Sequence, residues 1–244
     1  MKDLQMWNLV ESTLGMSSVP GWEVLQEQDL LLLKSPARRP LLNLAWGPVT
    51  ARSLEVCEAF FAGRPWSWML KEGQEPARLL EAGFHATEPS REMVLDLSSA
   101  GFDAPAPSIR VQPVASARAM RAWTEILGEA FDTPPADLEE FFGPLVKTPG
   151  HVPFLATWRG LPAATAGVFL GATGAGIYAV ATRPPFRRKG LGRALVHACL
   201  REARRAELRR AVLYASVMGL GLYEKAGFRT EQAFSEYCTP GYPH

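Results

Sequence analysis

Cysteine is scarce in this 244-residue chain: Cys57, Cys199 and Cys238 are odd in number, far apart and without any C-x-x-C spacing. A disulfide framework and a cysteine-based metal site are both excluded on that count, and no metal is expected. Long apolar runs are equally scarce, and a stretch such as Leu30 to Leu33 falls far short of the roughly 20 residues that span a bilayer. The opening MKDLQMWNLVESTL scatters its charges and lacks an apolar core followed by a small-residue cleavage site, so it does not read as a secretory signal. A cytoplasmic protein with no membrane partner is the expectation. Excess charge of one sign is also missing. The net charge is +1, which argues against a general nucleic-acid-coating role.

The composition is that of an ordinary globular protein, 47% hydrophobic and 21% charged, in a chain long enough for one large domain or two small ones. Leu4, Trp7, Val10 and Leu14 recur at helical spacing. Short strands are expected at Trp22 to Leu25, Leu30 to Lys34 and Leu41 to Trp46, then a helix at Ser53 to Phe61 and a strand at Trp66 to Met69. A helix from Pro76 to Ala82 closes at Gly83, and Met93 to Leu97 is a further strand. SSAGFDAPAPSIRVQP, residues 98–113, reads as a linker, its end a candidate first strand of a second unit. Helices follow over Ala115 to Phe131 and from Pro134-Pro135 through Val146, then a hairpin of Val152 to Trp158 and Ala163 to Leu170. Leu191, Leu195, Cys199 and Ala203 mark the buried face of a long helix. His197, on its opposite side, reads as a surface residue, and REARRAELRR as a solvated helix face interrupted by Glu202 and Glu207. Ala211 to Ala215 is a buried strand, Leu220 to Ala226 a short helix capped by Gly227, and Phe228 to Cys238 one or two strands before a frayed TPGYPH tail.

Between the hairpin and the long helix lies GIYAVATRPPFRRKGLGRA, Gly176 to Ala194: a short apolar run, two prolines, a basic glycine-bearing turn and an amphipathic segment. Gly190 and Gly192 have no Cβ, so backbone N–H groups can approach an anion where a helix begins and its first amides lack internal partners. Arg187, Arg188, Lys189 and Arg193 add positive field suited to a diphosphate. Standing alone, the stretch is equally a glycine-bearing turn with solvated arginines.

It does not stand alone. About thirty residues later comes LYEKAGFR, Leu222 to Arg229. By itself Tyr223 on a short helix is a packing residue. A strand ending in R-x-x-G-x-G (Arg187 to Gly192), a long helix, the strand AVLYAS and then LYEKAGF together resemble the GNAT superfamily of acyl-CoA-dependent N-acetyltransferases, over roughly residues 110–238. More faintly, LLEAGF (Leu79 to Phe84) and REMVLDL resemble the same closing helix and strand, with no R-x-x-G-x-G before them. The resemblance implies an α/β (α+β) fold of two tandem GNAT-like domains, each a mixed, mostly antiparallel central sheet flanked by helices. Residues 1–104 would be a degenerate copy without the acetyl-CoA motif, and residues 105–244 the acetyl-CoA-binding catalytic copy.

The activity so implied is transfer of an acetyl group from acetyl-CoA, the acyl-donor co-substrate, to a primary amine of a small molecule or peptide by direct attack in a ternary complex. Val180, Ala181 and Thr182 would lie at a bulge that pairs with the pantetheine arm, one of their N–H groups facing the thioester oxygen. The amides of Arg188, Lys189, Gly190, Leu191, Gly192 and Arg193 would hold the diphosphate, with Arg187 at its edge. Tyr223 matches the family's tyrosine that protonates the departing thiolate, since a phenol of ordinary pKa about 10 keeps its proton at neutral pH.

Two departures stand out. Ser216 occupies the place of an asparagine that binds pantetheine in many members, and the strand before the loop lacks their glutamate base. Tyr178, an acid between Asp132 and Glu140, or a water chain are open alternatives, while His151 reads as a loop residue. The region Trp123 to Val146, with Phe131, Phe141 and Phe142 beside Asp132, Asp137, Glu139 and Glu140, is the expected acceptor side, those acids serving a cationic amine or simply a solvated face. A non-catalytic acyl-CoA sensor or regulatory domain is the second reading, and nucleic-acid binding through the arginine helix a weaker third. Whether the chain is a monomer or a homodimer is open.

Overall fold

Four consecutive leucines bury both sides of one strand. Leu30 and Leu32 enter a cluster with Cys57, Phe61, Trp66 and Trp68, whereas Leu31 and Leu33 enter another with Trp22, Trp46 and Phe141. A continuous apolar run is what a strand covered on both faces requires. The computed structural model describes residues 8, 9, 11, 12, 15, 21–144 and 148–241. Its strands are β1 (Glu23–Glu27), β2 (Leu30–Lys34), β3 (Leu44–Trp46), β4 (Ser67–Lys71), β5 (His85–Ala86), β6 (Ser90–Asp96), β7 (Ile109–Pro113), β8 (His151–Trp158), β9 (Leu161–Leu170), β10 (Ala175–Thr182), β11 (Arg210–Ala215) and β12 (Arg229–Cys238). Its helices are α1 (Ala51–Phe61), α2 (Ala77–Glu81), α3 (Ala117–Phe131), α4 (Pro135–Phe142), α5 (Leu191–Arg205) and α6 (Leu220–Lys225).

All these strands join one sheet in the order β1-β2-β3-β4-β12-β6-β11-β10-β9-β8-β7, with β5 beside β12. Neighbours run antiparallel except β3/β4 and β10/β11, one parallel pair in each half of the chain. At the centre, strands are exchanged. β6 leaves the N-terminal half to pair with β11, and β12 leaves the C-terminal half to pair with β4, the two pairing with each other.

The long helix α5 packs Leu195, Cys199 and Ala203 against Ile177, Phe154 and Leu213 on one face of the sheet. On the other face α3 and α4 bury Met120, Trp123, Leu127 and Leu138 with Leu155 and Ala181. Helix α4 also joins the halves: Phe141 lies 4.6 Å from Trp22, and Phe142 5.0 Å from Trp123, between ring centres. Among the described residues no helix is long and apolar enough to cross a membrane.

Several local expectations need correction. The strand expected over Leu41 to Trp46 is shorter, because Pro40–Leu42 form one 3-10 turn. Buried Asn43 then donates to the carbonyls of Ala37, Arg39 and Pro65, which breaks the ladder before Leu44. Phe131 shares the apolar spacing of its helix but is 56% exposed, since α3 ends there and Asp132 turns left-handed at φ 48°. His197 is no surface residue: it is 4% exposed, and its Nδ1 accepts the Asp103 N–H at 3.2 Å. The reason is the linker, which buries Ala100 and lays Phe102 across α5, its ring 6.0 Å from that of His197. His151 opens strand β8 rather than lying in a loop. The tail is held at its start, where Thr239 donates its N–H to the Trp66 carbonyl and accepts the Trp66 N–H on Oγ1. Leu4, Trp7, Val10, Leu14 and Val146 lie outside the described residues, as do residues 242–244. Asn8, Leu9, Glu11, Ser12 and Gly15 are helical.

Candidate functional site

Strands β10 and β11 pair at only two positions, Ala175 with Ala211 and Gly176 with Val212, and then part. The cause of the parting lies in β10. Its register against β9 slips between Tyr178 and Ala181, so Ala179 and Val180 together oppose Ala166. Ala179 takes a left-handed φ of 53°, and its carbonyl accepts the hydroxyl of buried Thr165 at 2.9 Å. A bulge of this kind bends its strand and re-aims the following residues. Val180, Ala181 and Thr182 therefore run along an opening whose other wall is β11. Of the three only Ala181 is fully buried.

The chain leaves the opening through a 3-10 turn, Pro184–Phe186, and enters α5 at Gly190, which has φ 86° and no side-chain cap. The first bond of the helical ladder runs from the Ala194 N–H to the Gly190 carbonyl. The amides of Leu191, Gly192 and Arg193 precede it, and by helix geometry they have no partner within the helix. Arg188, also left-handed at φ 61°, makes the second reversed residue of the turn. Alternation of right- and left-handed residues gathers N–H groups into an anion-binding concavity, and the helix dipole adds positive potential there. Three of the four loop cations are already steadied. Arg187 donates to the Thr182 carbonyl at 3.2 Å, Arg193 pairs with Asp103 at 3.4 Å, and Lys189 sits 5.9 Å from the Trp158 ring centre.

Tyr223 comes to this helix end through two glycines. A Cβ on Gly192 would stand 3.1 Å from Leu222 Cδ2, and one on Gly219 would stand 3.0 Å from Tyr223 Cε2. The first absence lets α6 lie close against the start of α5, and the second leaves room for the Tyr223 ring over the start of its own helix. Tyr223 is 7% exposed, edge-on to Phe228, and burial foremost, with the neighbouring Cys199 thiol second, pushes its hydroxyl pKa up. Such a phenol holds its proton throughout the neutral range. Exposed Ser216 begins the turn, its carbonyl accepting the N–H groups of Gly219 and Leu220. The structure thus brings together the bulge, the glycine turn, Ser216 and Tyr223.

Tyr178 is a different matter. Its hydroxyl donates to Asn8 Oδ1 at 2.6 Å, Asn8 Nδ2 donates to the Gly174 carbonyl at 2.7 Å, and burial, reinforced by the Glu11 charge, raises the phenol pKa. A phenol so placed is no base near neutrality. The candidate acids at 132–140 are spread out: Asp137 pairs with Arg39 at 2.8 Å, while Asp132, Glu139 and Glu140 are exposed. His151 shares a 2.8 Å hydrogen bond with Ser12, and burial lowers its pKa to about 4. Among the described residues no group of three or more His, Cys, Asp or Glu is placed to hold a metal ion. Thr165, Gly219 and Asn8 carry no motif, and only their tertiary partners reveal what they do.

Residues 117–228 match the family described as Acetyltransferase (GNAT) family. Among curated proteins, no sequence matches the chain. Among solved structures, a GCN5-related N-acetyltransferase from Kribbella flavida aligns over 96% of both chains with TM-score 0.71 and 20% identity. Another from Sphaerobacter thermophilus covers 99% of this chain and 91% of its own, with TM-score 0.66 and 17% identity. A tandem GNAT protein from the clavulanic acid biosynthesis pathway covers 97% and 88%, with TM-score 0.59 and 15% identity. These likenesses extend the shared fold well beyond the matched segment. Residues 117–228, which hold the parted strands, the uncapped helix and Tyr223, are thus the segment that matches the GNAT acetyltransferase family, in a chain whose fold from end to end is that of GCN5-related N-acetyltransferases.

Proposed function

We propose that the chain transfers an acetyl group from acetyl-CoA to a primary amine by direct attack in a ternary complex. The observation that carries this reading is the parting of β10 from β11 beside the uncapped N-terminus of α5. The residues fit the donor. Val180, Ala181 and Thr182 offer strand edge to the pantetheine arm, as a sheet edge offers itself to a guest strand. The amides of Arg188, Lys189, Gly190, Leu191, Gly192 and Arg193 suit the diphosphate, Arg187 flanks it, and the Ser216 hydroxyl supplies one donor or acceptor near the arm. The thioester of acetyl-CoA supplies the activated acyl group. Tyr223 supplies the proton that the departing thiolate needs, and an N–H of the bulged segment stabilises negative charge on the carbonyl oxygen.

The reading includes two tandem GNAT-like domains, residues 1–104 and 105–244, with one donor site between them. In the N-terminal half the parallel pair β3/β4 stays closed over all three β3 residues, and the Trp68 indole N–H donates to the Gly47 carbonyl just beyond. Its following helix, α1, closes its own N-terminus: Thr50 Oγ1 accepts the Ser53 N–H, and Ser53 Oγ accepts the Thr50 N–H. The closed pair leaves no opening, and the cap takes up the Thr50 and Ser53 amides that an anion at this helix end would otherwise meet.

The test is calorimetric titration with acetyl-CoA, followed by thiol release with a panel of primary amines. Saturable binding with amine-dependent release is the expected result. Binding without release from any amine would favour the sensor reading, and absence of binding would overturn both.

A further inference from the structure

The linker between β6 and β7 lies along the polar face of α5, and it reaches the turn proposed for the diphosphate. Its contacts follow that helix backwards. Arg204, in the last turn of α5, donates to the Ala100 carbonyl at 3.4 Å, and Arg204 and Arg201 set their guanidinium groups 4.9 and 6.0 Å from the Phe102 ring centre. One turn earlier, buried His197 accepts the Asp103 N–H. Another turn earlier, Arg193 Nη1 meets Asp103 Oδ2 at 3.4 Å. Residues 193, 197, 201 and 204 are spaced by four, four and three, so they share one helix face, and the linker runs antiparallel to it. Asp103 is thus fixed through its backbone while its carboxylate reaches the first turn of α5.

We propose that the Asp103 carboxylate is an internal competitor for the donor: it occupies Arg193 in the free protein, and the diphosphate of acetyl-CoA takes its place. The inference rests on the transferase reading for the identity of that diphosphate. Arg193 carries one of the α5 amides that have no partner within the helix, so its guanidinium starts from the place where the anion binds. The helix dipole favours a carboxylate there, and the same field draws a diphosphate. The two anions repel each other, and the diphosphate offers Arg193 more negative charge and more acceptor oxygens. Exchange is easy on the protein's side. Arg193 is 56% exposed and Asp103 69%, and an ion pair so open to water is worth little. The backbone bond to His197, buried Ala100 and the packing of Phe102 still hold the linker when the carboxylate lets go. The segment that joins the two halves thereby sets how tightly the donor is held.

Calorimetric titration of acetyl-CoA into the wild type, Asp103→Asn, Arg193→Gln and the double variant tests this. Asp103→Asn keeps the N–H that His197 accepts and removes only the charge. It binds acetyl-CoA about threefold or more tighter than the wild type at low ionic strength, and in the Arg193→Gln background the same substitution gains less than about 1.5-fold. A smaller gain in the single variant, or weaker binding, would overturn the proposal, because Asp103 would then be idle or would be holding Arg193 ready for the donor. A gain of about 1.5-fold or more in the Arg193→Gln background would overturn it too, since repulsion at a distance would then account for the effect. If the wild type does not bind acetyl-CoA, the transferase reading fails and the competition fails with it. Failure of the competition alone leaves wild-type binding in place.

Discussion

Tyr178 and Asn8, 170 residues apart in sequence, meet at 2.6 Å, the phenol donating to the amide oxygen. The contact ties the N-terminal helical residues to the strand that carries the bulge, two positions before Val180. Tyr178→Phe leaves Asn8 Oδ1 without its donor and costs about 1–3 kcal/mol of stability by urea denaturation. Turnover, followed by thiol release, stays within about threefold of wild type, because the phenol's proton is already engaged and burial keeps it bound. A hundredfold fall in turnover at unchanged stability would instead make Tyr178 the base.

In the proposed transfer, Tyr223 supplies the proton that the departing thiolate needs. Tyr223→Phe keeps the ring packing against Phe228 and the affinity for acetyl-CoA, and lowers turnover by at least about tenfold. Unchanged turnover would remove Tyr223 from the mechanism.

The helices α1 and α5 begin in opposite ways, and substitutions at their caps separate structure from binding. Thr50→Ala opens the closed cap of α1, costs about 0.5–2 kcal/mol, and leaves acetyl-CoA binding unaffected. Gly190→Val puts a branched side chain at φ 86°, costs about 1–2 kcal/mol or more in backbone strain, and weakens acetyl-CoA binding by about tenfold or more. Thermal melts and calorimetry on both variants check the pair. Equal loss of binding in the two would show that the uncapped helix end is not the diphosphate site.

Acid destabilises the protein through His151. Burial lowers its folded pKa to about 4, below the ordinary value of 6.5, so the native state favours the neutral ring. Its contribution is fully present above pH 6.5 and is lost as pH falls from there through 4, at most roughly 3 kcal/mol in all. His197, lowered by burial as well, acts in the same direction. His151→Gln flattens the melting temperature between pH 6.5 and 4 relative to wild type. An identical pH profile would show that His151 is not the group responsible.

The turn, the helix ends and the short capped helix of the proposed donor site were legible in the sequence because each is built from consecutive residues. Arg187 to Gly192 must build a turn and a helix end from consecutive residues, and Leu222 to Gly227 must build a short capped helix, so each carries its own signature. The parting of β10 and β11 followed from the resemblance, while the Thr165 hydroxyl that fixes the bulge has no local pattern. His197 was misjudged because helical periodicity reports which face is apolar, not what a distant linker lays over the polar one. The alternation of β6 is ordinary, and nothing in REMVLDL reveals that the strand crosses to the sheet of the other half. Long-range register decides that, and it is settled by the partner strand.

The exchange of β6 and β12 also governs the order in which the molecule comes into being. The N-terminal sheet lacks the strand beside β4 until residues 229–238 have been made, so it stands with an unsatisfied edge for most of synthesis. A chain that stops short of Arg229 lacks the strand that pairs with both β4 and β6, and leaves both of those edges unpaired.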